Sequence, residues 1–265
     1  MTQHRATKPG AIGTYVREVT RDAATDGVAA RWAWILFWMP AVGVLVVGVS
    51  RINRQVFRFF VAEDHLLEWA QFGLLLSATV FGILVSVRLF GRGEVASAVL
   101  FIAFSVGTFL VAGEEISWGQ RLFGWGTPSA ITVINNQGET NLHNILEIQN
   151  ALNYLKMVGG LIAFALPFVT RWSTPPRTTG SSRPSILTRL SPALFLGPCF
   201  LLMFGYRFIR LFALKTSETA IKFGEWPEFA LYFGFAAFAY LLWRRLGSEV
   251  DPASATRATP SSQPS

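Results

Sequence analysis

Long uncharged apolar runs alternate with short polar segments along this chain. Trp32 to Ser50, Trp69 to Val87 and Val95 to Gly113 each hold 19 residues without a charge, bounded by Arg31 and Arg51, Glu68 and Arg88, and Glu94 and Glu114. A helix rises about 1.5 Å per residue, so about 20 residues cross a hydrocarbon core about 30 Å thick. Each run therefore predicts a membrane-spanning helix. Ile148 to Thr170 predicts a fourth, with Lys156 inside it snorkelling toward an interface. Leu190 to Tyr206 and Phe229 to Trp243, of 17 and 15 residues, predict a fifth and a sixth. The expected fold is all-α, a single polytopic transmembrane helix bundle of about six spans over residues 31–246, with five as the alternative count. Trp32, Trp69, Trp172, Trp226 and Trp243 fall at the expected span ends, where indole rings favour the headgroup region.

Polar punctuation sets the rest of the organisation. Residues 1–30 read as a flexible N-terminal tail, and no small-residue cleavage pattern marks the first span as a signal peptide. Residues 247–265 (GSEVDPASATRATPSSQPS) cannot build a core and read as a disordered C-terminal tail, and 173–185 reads as a flexible loop. The segment 122–134 (LFGWGTPSAITVI) is apolar but broken by Gly124, Gly126 and Pro128. It is too interrupted to span and is expected to lie at the interface or re-enter as a lid.

Composition narrows the class. Hydrophobic residues make up 51% of the chain and charged residues 15%, against about 25% charged in soluble domains. The mean hydropathy is +0.39. These values exclude a soluble enzyme, a disordered chain and a fibrous one. The net charge of +7 fits basic cytoplasmic loops and anionic lipid, with no basic groove motif for nucleic acid. Membrane lipids are the expected partners. Cys199, the single cysteine, stands in an apolar run and reads as a buried thiol.

Charge asymmetry orients the bundle. The termini with loops 88–94 and 171–189 carry fourteen Arg and Lys, and loops 51–68, 114–147 and 207–228 carry eight. The termini are therefore expected on the cytoplasmic side of a bacterial cytoplasmic membrane. Ten of the sixteen acids, together with His65 and His143, then fall on the opposite face. Acids that simply cap helices in water would give the same asymmetry, but ionisable groups at span ends that face a bundle interior suggest a site.

Three segments carry that chemistry. In Gly113 to Arg121 (GEEISWGQR), a continued helix would put Glu114, Ser117 and Arg121 on one face with Glu115 to the side. Two adjacent carboxylates at a bilayer edge call for a cation, either Arg121 or a metal. A Glu–Arg pair closing a helix end is the plain structural alternative. In Asn135 to Glu147 (NNQGETNLHNILE), Thr140 or Asn141 is a candidate cap for the fourth span. His143 and Glu147, at i and i+4, are able to hold one metal ion, with Glu139 reaching it if the turn folds back. A solvated helix face would show the same spacing. In Glu63 to Trp69 (EDHLLEW), Asp64 and His65 stand near Glu68 at the start of the second span, where the helix dipole alone stabilises acids. Glu225-Trp-Pro-Glu228 opens the sixth span in a similar way, a hint of an internal repeat.

The paired motifs GEEISWGQRLFGW and NNQGETNLHNI, with the acidic EW segment before the second span, resemble a family of bacterial polytopic membrane proteins over about residues 60–170. That resemblance implies a polytopic membrane fold and brings no activity with it. A looser likeness links Glu114-Glu115 and Arg121 to membrane-embedded CAAX-type proteases, although Arg121 stands six residues after Glu115 and one histidine, His143, follows. Alkaline ceramidase-like hydrolases offer a comparable analogy, a bundle with a metal at one face.

The leading expectation is a metal-dependent hydrolase or transferase acting on a lipid or lipid-linked substrate. Glu114, Glu115, His143 and Arg121 would be its catalytic residues, and Glu115, His143, Glu139, Glu147, Asp64 and His65 the candidate ligands of a divalent metal, the one cofactor considered. An ion-coupled transporter and a non-catalytic subunit that binds a partner through the polar face are the alternatives.

Overall fold

The computed structural model describes residues 10–61, 66–129, 141, 146–173, 184–212 and 221–249, and among them every regular element is helical. The helices are α1 (Ala11–Thr25), α2 (Ala30–Ser50), α3 (Arg54–Val61), α4 (Leu66–Gly91), α5 (Val95–Glu115), α6 (Gln120–Phe123), α7 (Leu146–Ser173), α8 (Ile186–Leu190), α9 (Gly197–Phe212) and α10 (Glu225–Ser248). Short 3-10 turns at Ser117–Gly119 and Leu194–Leu196 precede α6 and α9.

Five stretches are long and apolar enough to cross a membrane: Ala30–Ser50, Arg54–Gly91, Val95–Glu115, Ile148–Arg171 and Leu194–Phe212. α10, with 24 residues, is about 36 Å long and packs among them against α4 and α9. The architecture is thus the expected all-α membrane bundle of about six spans. α4 lies between α5 and α10, and α9 lies between α10 and α7 with α2 alongside. Large apolar side chains point outward all along it, among them Leu45, Val87, Val106, Leu155 and Phe212. Such a surface suits hydrocarbon as solvent.

The helices approach closely because small residues line their contacts. A Cβ on Gly160 of α7 would stand 2.9 Å from the Phe200 carbonyl oxygen of α9. One on Gly234 of α10 would meet the Phe200 ring at the same distance. The Trp226 indole of α10 occupies the space over Gly43 of α2 and donates to the Pro40 carbonyl at 2.9 Å. Thr79 and Thr108 share a hydrogen bond of 2.9 Å across the α4–α5 contact.

The expectation of a flexible tail to residue 30 fails for residues 11–25. They form α1, which buries Val19 and Ala23 and packs Tyr15 against Phe37 and Phe168. Asp22 accepts from Arg171 and, at 2.8 Å, from the Leu194 backbone N–H. Asp26 accepts from the Arg245 Nε at 2.9 Å. The spans also run longer than expected: α9 reaches Phe212, and α10 continues to Ser248, into the expected tail.

A clasp closes this end of the bundle. Arg189, 4% exposed, bonds both Glu94 oxygens at 2.9 and 2.8 Å and both Glu249 oxygens at 3.0 and 3.1 Å. Arg92 meets Glu249 at 2.6 Å. Arg88 donates to the Trp243 carbonyl and lies 4.5 Å above its ring.

Candidate functional site

The opposite end gathers the ends of α5 and α9 and the starts of α4, α7 and α10. α5 stops at Glu115, and the helical face expected to carry Glu114, Ser117 and Arg121 does not form. The backbone turns left-handed instead, with φ of +48° at Ser117, +54° at Trp118 and +79° at Gly119. Only glycine adopts that region without a clash between Cβ and carbonyl, so Ser117 and Trp118 are strained.

Local bonds hold the turn. Trp118 Nε1 donates to Glu114 at 2.7 Å, and its ring lies over Gly113 and edge-on to Phe109. Asn141, 2% exposed, donates to the Ser117 hydroxyl at 3.0 Å. This bond joins the two motifs named from the sequence; residues 142–145, on which a cap at Thr140 or Asn141 would depend, lie outside the described residues. After the turn, Gln120 donates to Thr127 at 2.7 Å, and the exposed rings of Phe123 and Trp125 stack 5.4 Å apart.

The reversal separates the two carboxylates. Glu114 faces Trp118, while Glu115 faces α10, where the Tyr232 hydroxyl donates to it at 2.9 Å. Tyr232, 2% exposed, also reaches Glu228 at 3.4 Å. Glu228 accepts from Lys156 of α7 at 2.6 Å and from Arg207 of α9. Lys156 therefore points inward to an acid and does not snorkel, because Glu228 offers in the bundle what the interface would offer outside. Gln71 of α4, fully buried, donates to the Glu225 backbone and side chain at 2.8 and 3.2 Å. Tyr232 thus joins Glu115 to Glu228, which also holds Lys156 and Arg207, and Gln71 separately holds Glu225 one helical turn away.

No family model, curated protein or solved structure matches this chain. What the site can do follows from its own residues.

Of the residues named from the sequence, Glu114 and Glu115 lie in this site. Asp64, His65, Glu139 and His143 lie outside the described residues, as do the side chains of Arg121 and Glu147. The last part of the expected lid, residues 130–134, lies outside them too. Among the described residues no group of three His, Cys, Asp or Glu is placed to hold a metal. Sequence reasoning misses Gln71, Lys156, Arg207, Glu225, Glu228 and Tyr232 as site residues. Lys156 and Gln71 carry a signal, as polar positions in otherwise apolar spans. Tyr232 carries none, since one tyrosine in an aromatic run looks like any lipid-facing ring.

Proposed function

We propose that the protein is a membrane-embedded hydrolase or transferase acting on a lipid or lipid-linked substrate at the end that carries Glu115. The observation behind this reading is the Glu115 carboxylate, oriented by Tyr232 and set beside a strained left-handed turn. Strain of this kind persists where surrounding bonds over-determine the backbone, and it concentrates at reactive sites. Glu115 serves as the general base toward water or an acceptor hydroxyl, with Tyr232 fixing its direction. Glu228, Lys156 and Arg207 set the charge around it. A divalent metal on Glu115, His143, Glu139, Glu147, Asp64 and His65 would supply Lewis acidity. The Arg and Lys bias favours termini in the cytoplasm of a bacterial cell, with the site at the outer face.

The test is lipid turnover by purified protein in bilayers of the host's own lipid extract, followed by mass spectrometry. Glu115→Gln should lower any protein-dependent conversion by about 10²-fold or more. Metal content, measured in parallel for wild type, Glu115→Gln and His143→Ala, should drop in both variants if the acids and the histidine share an ion. Unchanged lipid profiles and metal content in all three proteins would end this reading.

One observation favours a second reading, an ion-coupled carrier. Lys156, Glu228 and Arg207 form ion pairs inside the helix bundle, and carriers place ionisable groups there. Proton or cation flux in proteoliposomes that Glu228→Gln abolishes would support it.

A further inference from the structure

Two arginines in the last turns of α9 have more donors than acceptors. Arg207 is 9% exposed, and its Nη2 is committed to Glu228 while its Nε is buried without an acceptor. Three residues on, Arg210 has both Nε and Nη1 buried without an acceptor. Of the described acids nearby, Glu228 serves Lys156 and Arg207, and Glu225 accepts from Gln71. Tyr206 lies within electrostatic reach of both arginines and of Glu225 and Glu228, so these groups form one neighbourhood. A guanidinium stays charged at any ordinary pH, and buried N–H groups left without acceptors are costly. Three such atoms on two arginines spaced i and i+3 on one helix call for an oxyanion.

We infer that Arg207 and Arg210 form a binding site for a phosphate oxyanion, with Arg210 as its main anchor. The donor forks of guanidinium match phosphate oxygens, to which such pairs bind with two parallel hydrogen bonds. The surrounding helix specifies what the phosphate is attached to. Phe208, Ile209 and Phe212 stand exposed on the outer side of the same turns, so a ligand whose phosphate enters between the arginines has apolar surface beside it for acyl chains. This inference rests on the lipid-directed function proposed above and names its substrate class: a lipid or lipid-linked molecule with a phosphate in its headgroup. Inorganic or other soluble phosphate shares the recognised chemistry.

The experiment measures ligand-dependent thermal stabilisation of the full-length protein in a neutral detergent. The probes are dioctanoyl phosphatidic acid, dioctanoyl phosphatidylglycerol, dioctanoylglycerol with no phosphate, and inorganic phosphate. The two phospholipids should stabilise wild type at concentrations where dioctanoylglycerol does nothing. Arg210→Gln should weaken their apparent affinity by about tenfold or more. Stabilisation by inorganic phosphate equal to that by the phospholipids would support the oxyanion site and assign it a soluble ligand. Phospholipid binding by wild type that shows no lipid turnover would sink the enzymatic reading and leave this one standing. Arg207→Gln also strips Glu228 of a partner, so Arg210→Gln, which disturbs no described ion pair, is the deciding variant. Equal affinity of wild type and Arg210→Gln, or no response to any phosphate probe, would overturn the inference.

Discussion

The Tyr232 hydroxyl donates to Glu115 at 2.9 Å, joining the first half of α10 to the last residue of α5. Both helices pack on α4, and this bond ties them to each other directly, so the phenol fixes where the carboxylate points. Tyr232→Phe removes the hydroxyl and keeps the ring. It should cost about 1–3 kcal/mol, because a half-buried carboxylate loses a donor. Thermal unfolding in detergent measures the cost. Catalysis should fall as well if Glu115 is the base, whereas a purely structural bond would lower the melting temperature and leave turnover unchanged.

The Lys156–Glu228 pair, at 2.6 Å with side chains 20% and 14% exposed, predicts strong coupling between α7 and α10. Lys156→Met should destabilise by about 3 kcal/mol, since it strips a largely buried Glu228 of one of the two cations described on it. Glu228→Gln leaves both cations facing a neutral amide. In a double-mutant cycle the two changes should couple by about 1–3 kcal/mol. Additive effects would mean that the pair contributes nothing beyond its separate parts.

Substitution in the left-handed turn has a predictable direction. Gly119 holds φ of +79°, and a Cβ there would stand 3.0 Å from the Phe123 ring. Gly119→Ala should therefore cost about 1–2 kcal/mol. Gly113→Ala brings a Cβ to 2.7 Å from the Trp118 ring and should expel the indole from its place. Tryptophan fluorescence should report that change as a more solvent-exposed Trp118, with no comparable change in Gly107→Ala, where space is open.

The Arg189 clasp predicts acid sensitivity. Burial pushes the Glu249 carboxyl upward, but its bonds to Arg189 and Arg92 outweigh burial and hold it below the usual carboxylate range. A carboxyl with a lowered folded-state pKa stabilises fully above its unfolded value, about 4.3, and loses that contribution as pH falls through the folded value. The melting-temperature gap between wild type and Glu249→Gln should be widest near neutral pH and close below about pH 4. A gap that stays constant with pH would show that the charge of Glu249 is not what holds the clasp.

The spans are legible in the sequence because lipid imposes a length rule that any charge-free run reveals. Trp32–Ser50 and Val95–Gly113 predict α2 and α5 to within two residues. α1 carries Tyr15, Val19 and Ala23 at helical spacing, but short apolar residues among Arg and Thr give it the look of a tail. The extended end of α9 is hidden because Arg207 and Arg210 read as loop charges, and only the placement of Arg207 opposite Glu228 shows that end turned inward. Glu114 and Glu115 stand out in the sequence as adjacent acids, yet they part company where the helix stops. Nothing in Ser117-Trp118 announces a left-handed turn, which long-range partners such as Asn141 impose.

α1 carries a consequence for the order of assembly. Its anchors lie far ahead in the chain: Arg171 and the Leu194 N–H for Asp22, and Arg245 for Asp26. A ribosome makes this helix before any of these partners, and Arg245 stands 219 residues after Asp26. The earliest of the described helices is thus among the last to be fixed, and its docking marks the moment at which the bundle is complete.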